Sequence, residues 1–362
     1  MDQNQEQKQD ETQTQTQEKK QDETQTQTLE DEVQLLKQSL PKASFRGTDL
    51  LTKYQEFWVL HNGPQLSNIL NFQRHFNARD TDIVITSVPK TGSTWLRSLL
   101  FSIMNRANQP NLENHPLVKN HPNELVFNLE AIYGNVFDYP RVIHLNELPS
   151  PRLFFTHLPY ESLPESIKAS KCRLLYITRN PLDTIVSLWY FIISMMKKKL
   201  GDNYQPPCFE DFSEDFYNGR FVYGPFFEHV LGFWKKSLER PEKVLFLTYE
   251  DLKDDTVVEL KRLAEFLGVP FSTEEEDKGI IKEIIELCSI KSLKGMEVNK
   301  NGVLNKIFEK KSFFRKGEVG DWKNHFKTEM ANKMIELMEK KLKGTGLSFR
   351  LLPRNDVEVA IE

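Results

Sequence analysis

Four short apolar runs recur through the middle of this chain, at Asp82 to Val88, Arg152 to Thr156, Arg173 to Thr178 and Lys243 to Thr248. Between them the apolar spacing predicts helices at Trp95 to Asn105, Pro181 to Lys198 and Leu252 to Leu267, with Phe209 to Tyr217 and Pro225 to Leu238 ahead of the last run. Strands alternating with helices form a parallel sheet covered on both faces, so the expected fold class is α/β. Further helical patterns lie at Leu29 to Leu40, Pro64 to Phe76 and Phe326 to Lys341. In such sheets ligands gather at the carboxyl ends of the strands. The residues just past the four runs are Lys90, His157, Arg179 and Tyr249, a chemically loaded set for one shared edge.

The first run enters its helix through Pro89-Lys90-Thr91-Gly92-Ser93-Thr94. Unpartnered N–H groups at a helix start point outward, Gly92 permits close approach, and Lys90, Ser93 and Thr94 add donors. Such a loop suits a phosphate or a sulfate. The Walker order GxxxxGK[ST] is absent, because Lys90 precedes the glycine, and this argues against an ordinary ATPase or GTPase.

With 362 residues, 39% of them hydrophobic, the chain can bury one large core. Residues 1–28 stand apart as an acidic Gln/Thr-rich tail expected to be disordered, which leaves 29–362 as the folded domain. The tail carries seven acids and three lysines, a balance equal to the −4 net charge of the whole chain. The folded part is therefore neutral overall, anion affinity must be local, and no nucleic-acid partner is expected. No secretory or transit pattern is visible, and the apolar stretch Thr184 to Met196 is too short to span a bilayer, so a cytoplasmic protein without membrane association is expected. Three scattered cysteines, Cys172, Cys208 and Cys288, suit a reducing compartment and offer no metal-ligand spacing.

Each loaded residue also has an ordinary reading. Lys90 could be a surface lysine, although its Gly and hydroxyl neighbours favour anion binding. His157, in Phe154-Phe155-Thr156-His157-Leu158-Pro159, could be a half-buried histidine bonded to backbone; with Lys90 on the same edge, a general base is the better reading. Arg179 has no obvious neighbouring partner and is a candidate anion ligand, while Pro181 and Asp183 suit a helix start. Ser187 reads equally well as a packing serine. Arg315-Lys316-Gly317 is either a second anion cradle or a solvated charged loop. The rings Trp189, Phe191, Phe226, Phe227, Phe233 and Trp234 suit a core, with some able to line a pocket.

Five ordered motifs resemble the cytosolic sulfotransferases, most closely the plant-type branch: PKTGSTW at Pro89, THLP at Thr156, RNPxD at Arg179 with VSLW at Val186, YEDLK at Tyr249, and RKGEVGDWK at Arg315. The resemblance spans about Tyr54 to Arg350. It implies a single α/β domain with a central parallel sheet flanked by helices, related to P-loop nucleotide kinases, and the donor 3′-phosphoadenosine 5′-phosphosulfate (PAPS). Carried over by motif, Lys90, Thr91, Gly92, Ser93 and Thr94 would grip the 5′-phosphosulfate, with Trp95 near the adenine. Arg179, Ser187, Arg315, Lys316 and Gly317 would hold the 3′-phosphate, and Tyr249 would lie by the adenine. His157 would be the catalytic base, with Lys90 assisting the leaving group. The expected partner is a small-molecule hydroxyl acceptor; neither a metal nor a specific protein partner is implied. Flavonols, hydroxyjasmonates, brassinosteroids and desulfoglucosinolates are sulfated in that branch, and loops around Tyr54 to Trp58, Leu125 to Tyr139, Trp189 to Lys198 and Gly295 to Phe313 would shape the acceptor pocket.

The chain departs from the family at three places. Phe155 stands where some relatives carry a lysine, so a second catalytic cation is not expected there. Cys288-Ser289-Ile290 replaces a Thr-Ser-Phe of animal members, which removes an aromatic from position 290. The animal dimer signature KxxxTVxxxE is not matched from Lys323.

Overall fold

The computed structural model describes residues 28–45, 49–108, 114–134, 145–201, 203–305 and 307–354. Residues 1–27 of the expected tail and 135–139 of one expected acceptor loop lie outside that set. The principal helices are α1 (28–39), α2 (Gln65–His75), α3 (Ser93–Asn105), α4 (Pro181–Leu200), α5 (Phe209–Tyr217), α6 (Phe226–Glu239), α7 (Tyr249–Asp254), α8 (Thr256–Phe266), α9 (Ile280–Leu287) and α10 (Thr328–Leu342). An antiparallel meander, β1 (Lys42–Phe45), β2 (Asp49–Tyr54) and β3 (Phe57–Leu60), precedes the central sheet. The central strands are β4 (Ile83–Thr86), β5 (Phe127–Asn128), β6 (Leu153–Thr156), β7 (Arg173–Thr178) and β8 (Val244–Thr248). They are parallel, in the order β5-β6-β4-β7-β8.

Why these runs are almost wholly apolar is visible in their alternation. Val84, Phe154, Leu174, Tyr176, Val244 and Phe246 enter one core, while Ile83, Ile85, Phe155, Leu175, Ile177, Leu245 and Leu247 enter the other. Successive side chains of a strand point to opposite faces, so a sheet packed on both sides needs hydrophobes at every position. The first face is covered by Leu66, Ile69 and Phe72 of α2, Leu182 and Ile185 of α4, and Val230 and Phe233 of α6. The second is covered by Leu96, Leu99 and Ile103 of α3, Leu260 and Leu263 of α8, and Ile281 and Ile284 of α9.

The sheet is clamped at its amino-terminal end. Arg152, just before β6, meets Asp82, just before β4, through two bonds of 2.7 and 2.5 Å, and both side chains are almost fully buried. The carboxyl end is left for chemistry. There β4 lies between β6 and β7, and the chain leaves toward the β5 edge before returning to cross to β7. The exits of β6, β4 and β7 therefore frame a crevice at the switch point.

The single helix expected at Leu252 to Leu267 is two helices. Asp255 interrupts it with φ −134° and ψ 69°, and its carboxylate caps α8 by accepting from the Val258 N–H at 3.1 Å. Neither the meander nor the two-residue β5 was expected.

Candidate functional site

The loop after β4 turns on two left-handed residues. Gly92 caps α3 at φ 110°, and Lys90 itself has φ 72°. A Cβ on Gly92 would sit 2.7 Å from Cδ2 of Tyr249, so a side chain is barred by both backbone and contact. Thr91 folds inward, its hydroxyl donating to the carbonyls of Val88 and Ile177 at 2.9 Å each. It ties the loop to β7 and is not on the cavity wall. Lys90, Gly92, Ser93, Thr94 and Trp95 do line one cavity, together with His157, Arg179, Ser187, Tyr249, Arg315 and Gly317.

Lys90 reaches past the loop to Phe191 and Phe313, its ammonium 4.1 and 5.2 Å from the two ring centroids. Burial, reinforced by Arg315 and Arg179, lowers its pKa to about 7.

His157 is held from three sides. Nδ1 lies 2.7 Å from the Ser87 carbonyl, which can only accept, so Nδ1 carries the proton and Nε2 keeps a free lone pair. Its backbone N–H donates to the buried Glu130 carboxylate at 2.8 Å, and its carbonyl accepts from His229 Nε2 at 3.0 Å. The same logic makes His229 Nδ1 an acceptor for the Tyr176 hydroxyl at 2.9 Å. Desolvation lowers the His157 pKa to about 3, leaving the imidazole neutral.

On the β7–β8 side the groups are cationic and aromatic. Contrary to the sequence expectation of no neighbouring partner, Arg179 is paired with Asp183 Oδ2 at 3.1 Å, four residues on, and donates to the Glu318 carbonyl. The Asp183 carboxylate also accepts the Gly320 and Trp322 N–H groups at 2.8 and 2.9 Å, fastening the 315–322 loop to the start of α4. Within that loop Arg315 and Lys316 both bond to Asp321 at 2.5 Å; burial by itself raises the Asp321 pKa, but these donors outweigh it and hold the carboxylate well below its ordinary range. Lys316 is not on the cavity wall. Gly317, at φ 70°, leaves room for Ile290, whose Cδ1 is 1.7 Å from where a Cβ would be.

Several polar atoms here are buried without partners: Nε of Arg179 and Arg315, the Tyr249 hydroxyl and Trp95 Nε1. The Trp95 and Tyr249 rings meet edge-on at 5.4 Å, and the Arg179 guanidinium lies 4.5 Å from the Tyr249 ring centroid. Orphaned buried donors are costly and call for a ligand with matching acceptors. Two phosphate-like groups on either side of an aromatic base would meet that need.

Other residues of the site escaped the sequence reading. Arg97 lines the cavity from α3, stacked 3.5 Å above the Phe155 ring, and Asn123, Phe313 and Phe314 complete the wall. An arginine within the apolar stretch Trp95 to Phe101 was the available signal. Tyr223 places its ring 5.3 Å from His157 and is itself held by β3, its N–H donating to the Trp58 carbonyl at 2.7 Å. Of the six rings read as core or pocket, Phe226, Phe227 and Phe233 are core and Phe191 lines the cavity.

Comparison with known proteins identifies the family and the fold. The family model for the sulfotransferase domain matches residues 80–346. Cytosolic sulfotransferase 5 of Arabidopsis thaliana is 43% identical over 322 residues, covering 89% of this chain and 97% of the relative. A solved Arabidopsis thaliana sulphotransferase structure matches with a TM-score of 0.66 at 37% identity, covering 87% of this chain and 94% of the other. A mouse sulfotransferase solved in complex with PAP matches with a TM-score of 0.59 at 28% identity, covering 81% and 94%. Among the described residues no helix is long and apolar enough to cross a membrane.

Proposed function

The chain belongs to the sulfotransferase family, and from that premise we propose how its own residues carry the reaction. That reaction is transfer of a sulfuryl group from PAPS to a hydroxyl of a small acceptor. PAPS, when bound, supplies the sulfuryl group and a phosphate leaving group. The residues that line the cavity fit it: Ser93, Thr94 and the amides at the start of α3 would receive the 5′-phosphosulfate, Arg179, Ser187 and Arg315 the 3′-phosphate, and Trp95 and Tyr249 would lie by the base.

His157 Nε2, unprotonated and facing the cavity, takes the proton of the acceptor hydroxyl as its oxygen attacks sulfur. Lys90 meets the charge that builds on the leaving phosphate oxygen as the sulfur–oxygen bond to it breaks. Phe191, Phe313 and Phe314 give the cavity an apolar wall suited to a hydrophobic alcohol or phenol. Thr91 and Lys316 act through the loop positions they fix. Like its relatives named cytosolic, the protein would work in the cytoplasm on plant secondary metabolites, its tail 1–28 standing outside the 29–362 domain.

The observation that carries this reading is the convergence of a tautomerically fixed His157, the Lys90 loop and the Arg179–Arg315 cradle on one crevice. A screen of hydroxylated plant metabolites with radiolabelled PAPS tests it, run beside ATP with Mg²⁺. Label should move to an acceptor only from PAPS. Phosphoryl transfer from ATP without sulfuryl transfer would contradict the reading.

A further inference from the structure

Two titratable side chains, Tyr176 of β7 and His229 of α6, lie fully buried on the first face of the sheet and are not on the cavity wall. Their surroundings are aromatic. The Tyr176 ring stacks on Phe233 at 4.3 Å and 14°, and His229 meets Phe57 edge-on at 5.9 Å. Their neighbours on that face, Leu174 and Phe246 from the sheet and Val230 and Phe233 from α6, are plain hydrophobes. A phenylalanine would fill either place, and a polar group buried among hydrocarbon is costly unless its hydrogen bonds are made. Here they are made. The Tyr176 hydroxyl lies 2.9 Å from His229 Nδ1, and burial lowers the His229 pKa to about 4, which keeps the ring neutral.

The pair leads out of the core to a single destination. His229 Nε2 lies 3.0 Å from the carbonyl of His157, and His157 Nδ1 lies 2.7 Å from the carbonyl of Ser87. The adjoining amide closes the path: burial raises the Tyr176 pKa well above its ordinary value, and the Val88 N–H, facing the same hydroxyl, opposes that rise. Carbonyls can only accept, so His157 Nδ1 and His229 Nε2 both donate, His229 Nδ1 accepts, and the Tyr176 hydroxyl donates. One arrangement of protons thus satisfies the whole circuit, and a fully satisfied buried network is rigid. It joins the exits of β4 and β6 to β7 and α6. On the other flank the Glu130 carboxylate accepts the His157 N–H at 2.8 Å, so the backbone of the base is gripped at its N–H and at its carbonyl. Such a grip matters, because a displacement of about 1 Å at a reacting group can slow a reaction about 10²-fold.

Resting on the sulfotransferase reading, we propose that His229 and Tyr176 are positioning residues for the general base. Tyr176 sets the tautomer of His229, His229 holds the His157 carbonyl, and the imidazole is thereby kept aimed into the cavity. Both act through His157 alone.

The test measures turnover with PAPS and an accepted hydroxyl substrate, beside calorimetric PAP affinity, for Tyr176→Phe, His229→Phe and His229→Gln. The two phenylalanine variants keep an aromatic ring in place while opening the circuit. Each should lower kcat tenfold or more, with KM for the acceptor and PAP affinity within twofold of wild type. His229→Gln, which keeps an N–H for the His157 carbonyl, should recover part of the loss. In a His157→Ala background the phenylalanine variants should lower the residual turnover no further, since no imidazole is left to aim. Tyr176→Phe removes a single oxygen atom, so the test stands even where His229→Phe does not fold. Unchanged kcat in Tyr176→Phe, a loss confined to KM or to PAP affinity, no recovery with glutamine, or a further tenfold loss in the His157→Ala background would each overturn the proposal while leaving the sulfotransferase reading in place. No sulfuryl transfer by wild type to any acceptor would strike that reading, and this proposal with it.

Discussion

His157 Nδ1 donates to the carbonyl of Ser87 at 2.7 Å, and this one bond fixes both the ring's direction and its tautomer. Because Ser87 directly follows β4, the base is aligned to the same strand exit that launches the anion loop. The lowered pKa of about 3 has a kinetic consequence with a definite sign. A base fails when pH falls through its pKa, so lowering the pKa moves the acid limb downward. kcat/KM for the acceptor should hold between about pH 7 and about pH 5, without a midpoint near the ordinary histidine value of about 6.5. A midpoint there in the pH–rate profile would contradict the assigned environment.

Lys90 should govern the opposite limb. Its pKa of about 7 means that the free protein loses this charge as pH rises through neutrality. kcat/KM for PAPS reports the free enzyme and should therefore decline above about pH 7. Lys90→Arg, whose guanidinium stays charged, should remove that decline at a lower absolute rate. An unchanged alkaline limb in the variant would assign it elsewhere.

Gly317→Ala tests the second cradle. The new Cβ meets Ile290 Cδ1 at 1.7 Å, in a left-handed backbone that alanine adopts reluctantly. Ile290 would be driven into the nucleotide side of the cavity, raising the PAP dissociation constant about tenfold or more, of order 1.4 kcal/mol. Adding Ile290→Ala should recover part of the loss, the remainder reflecting backbone strain. Isothermal titration of the two variants separates the contributions.

The buried ion pair at the other end of the sheet gives a test of stability separate from the site. Asp82→Ala would leave the Arg152 guanidinium buried without its carboxylate, a loss of about 3–5 kcal/mol. Chemical denaturation should show that drop, while PAP affinity of the folded fraction at low temperature stays near wild type. Equal affinity loss would mean that the clamp and the site are coupled through β4 and β6.

Much of this was legible because local chemistry and global fold agree. Arg173 to Thr178 reads as a strand to the residue, since both of its faces are buried and its ends are polar. The start of α4 is written in Asn180-Pro181, an N-cap followed by a proline at the first turn. What could not be read depends on contacts far apart in sequence. Asp183 looked like a residue favouring the helix dipole, yet it also holds the Gly320 and Trp322 amides, 137 and 139 residues away. Lys42-Ala43-Ser44-Phe45 has too little apolar alternation to announce β1, and β5 has only two residues. Arg97 was hidden for the reason that makes it interesting: its neighbours on α3 are core residues, and only the folded sheet places Phe155 beneath it.

The central claim is that His157 is the base and that the nucleotide is held independently of it. The most direct measurement is the turnover number with PAPS and an accepted hydroxyl substrate, beside the PAP dissociation constant, for wild type and His157→Ala. Turnover should fall by about 10²–10⁴-fold with PAP binding unchanged within about twofold. Turnover retained near the wild-type rate, with binding intact, would contradict the account.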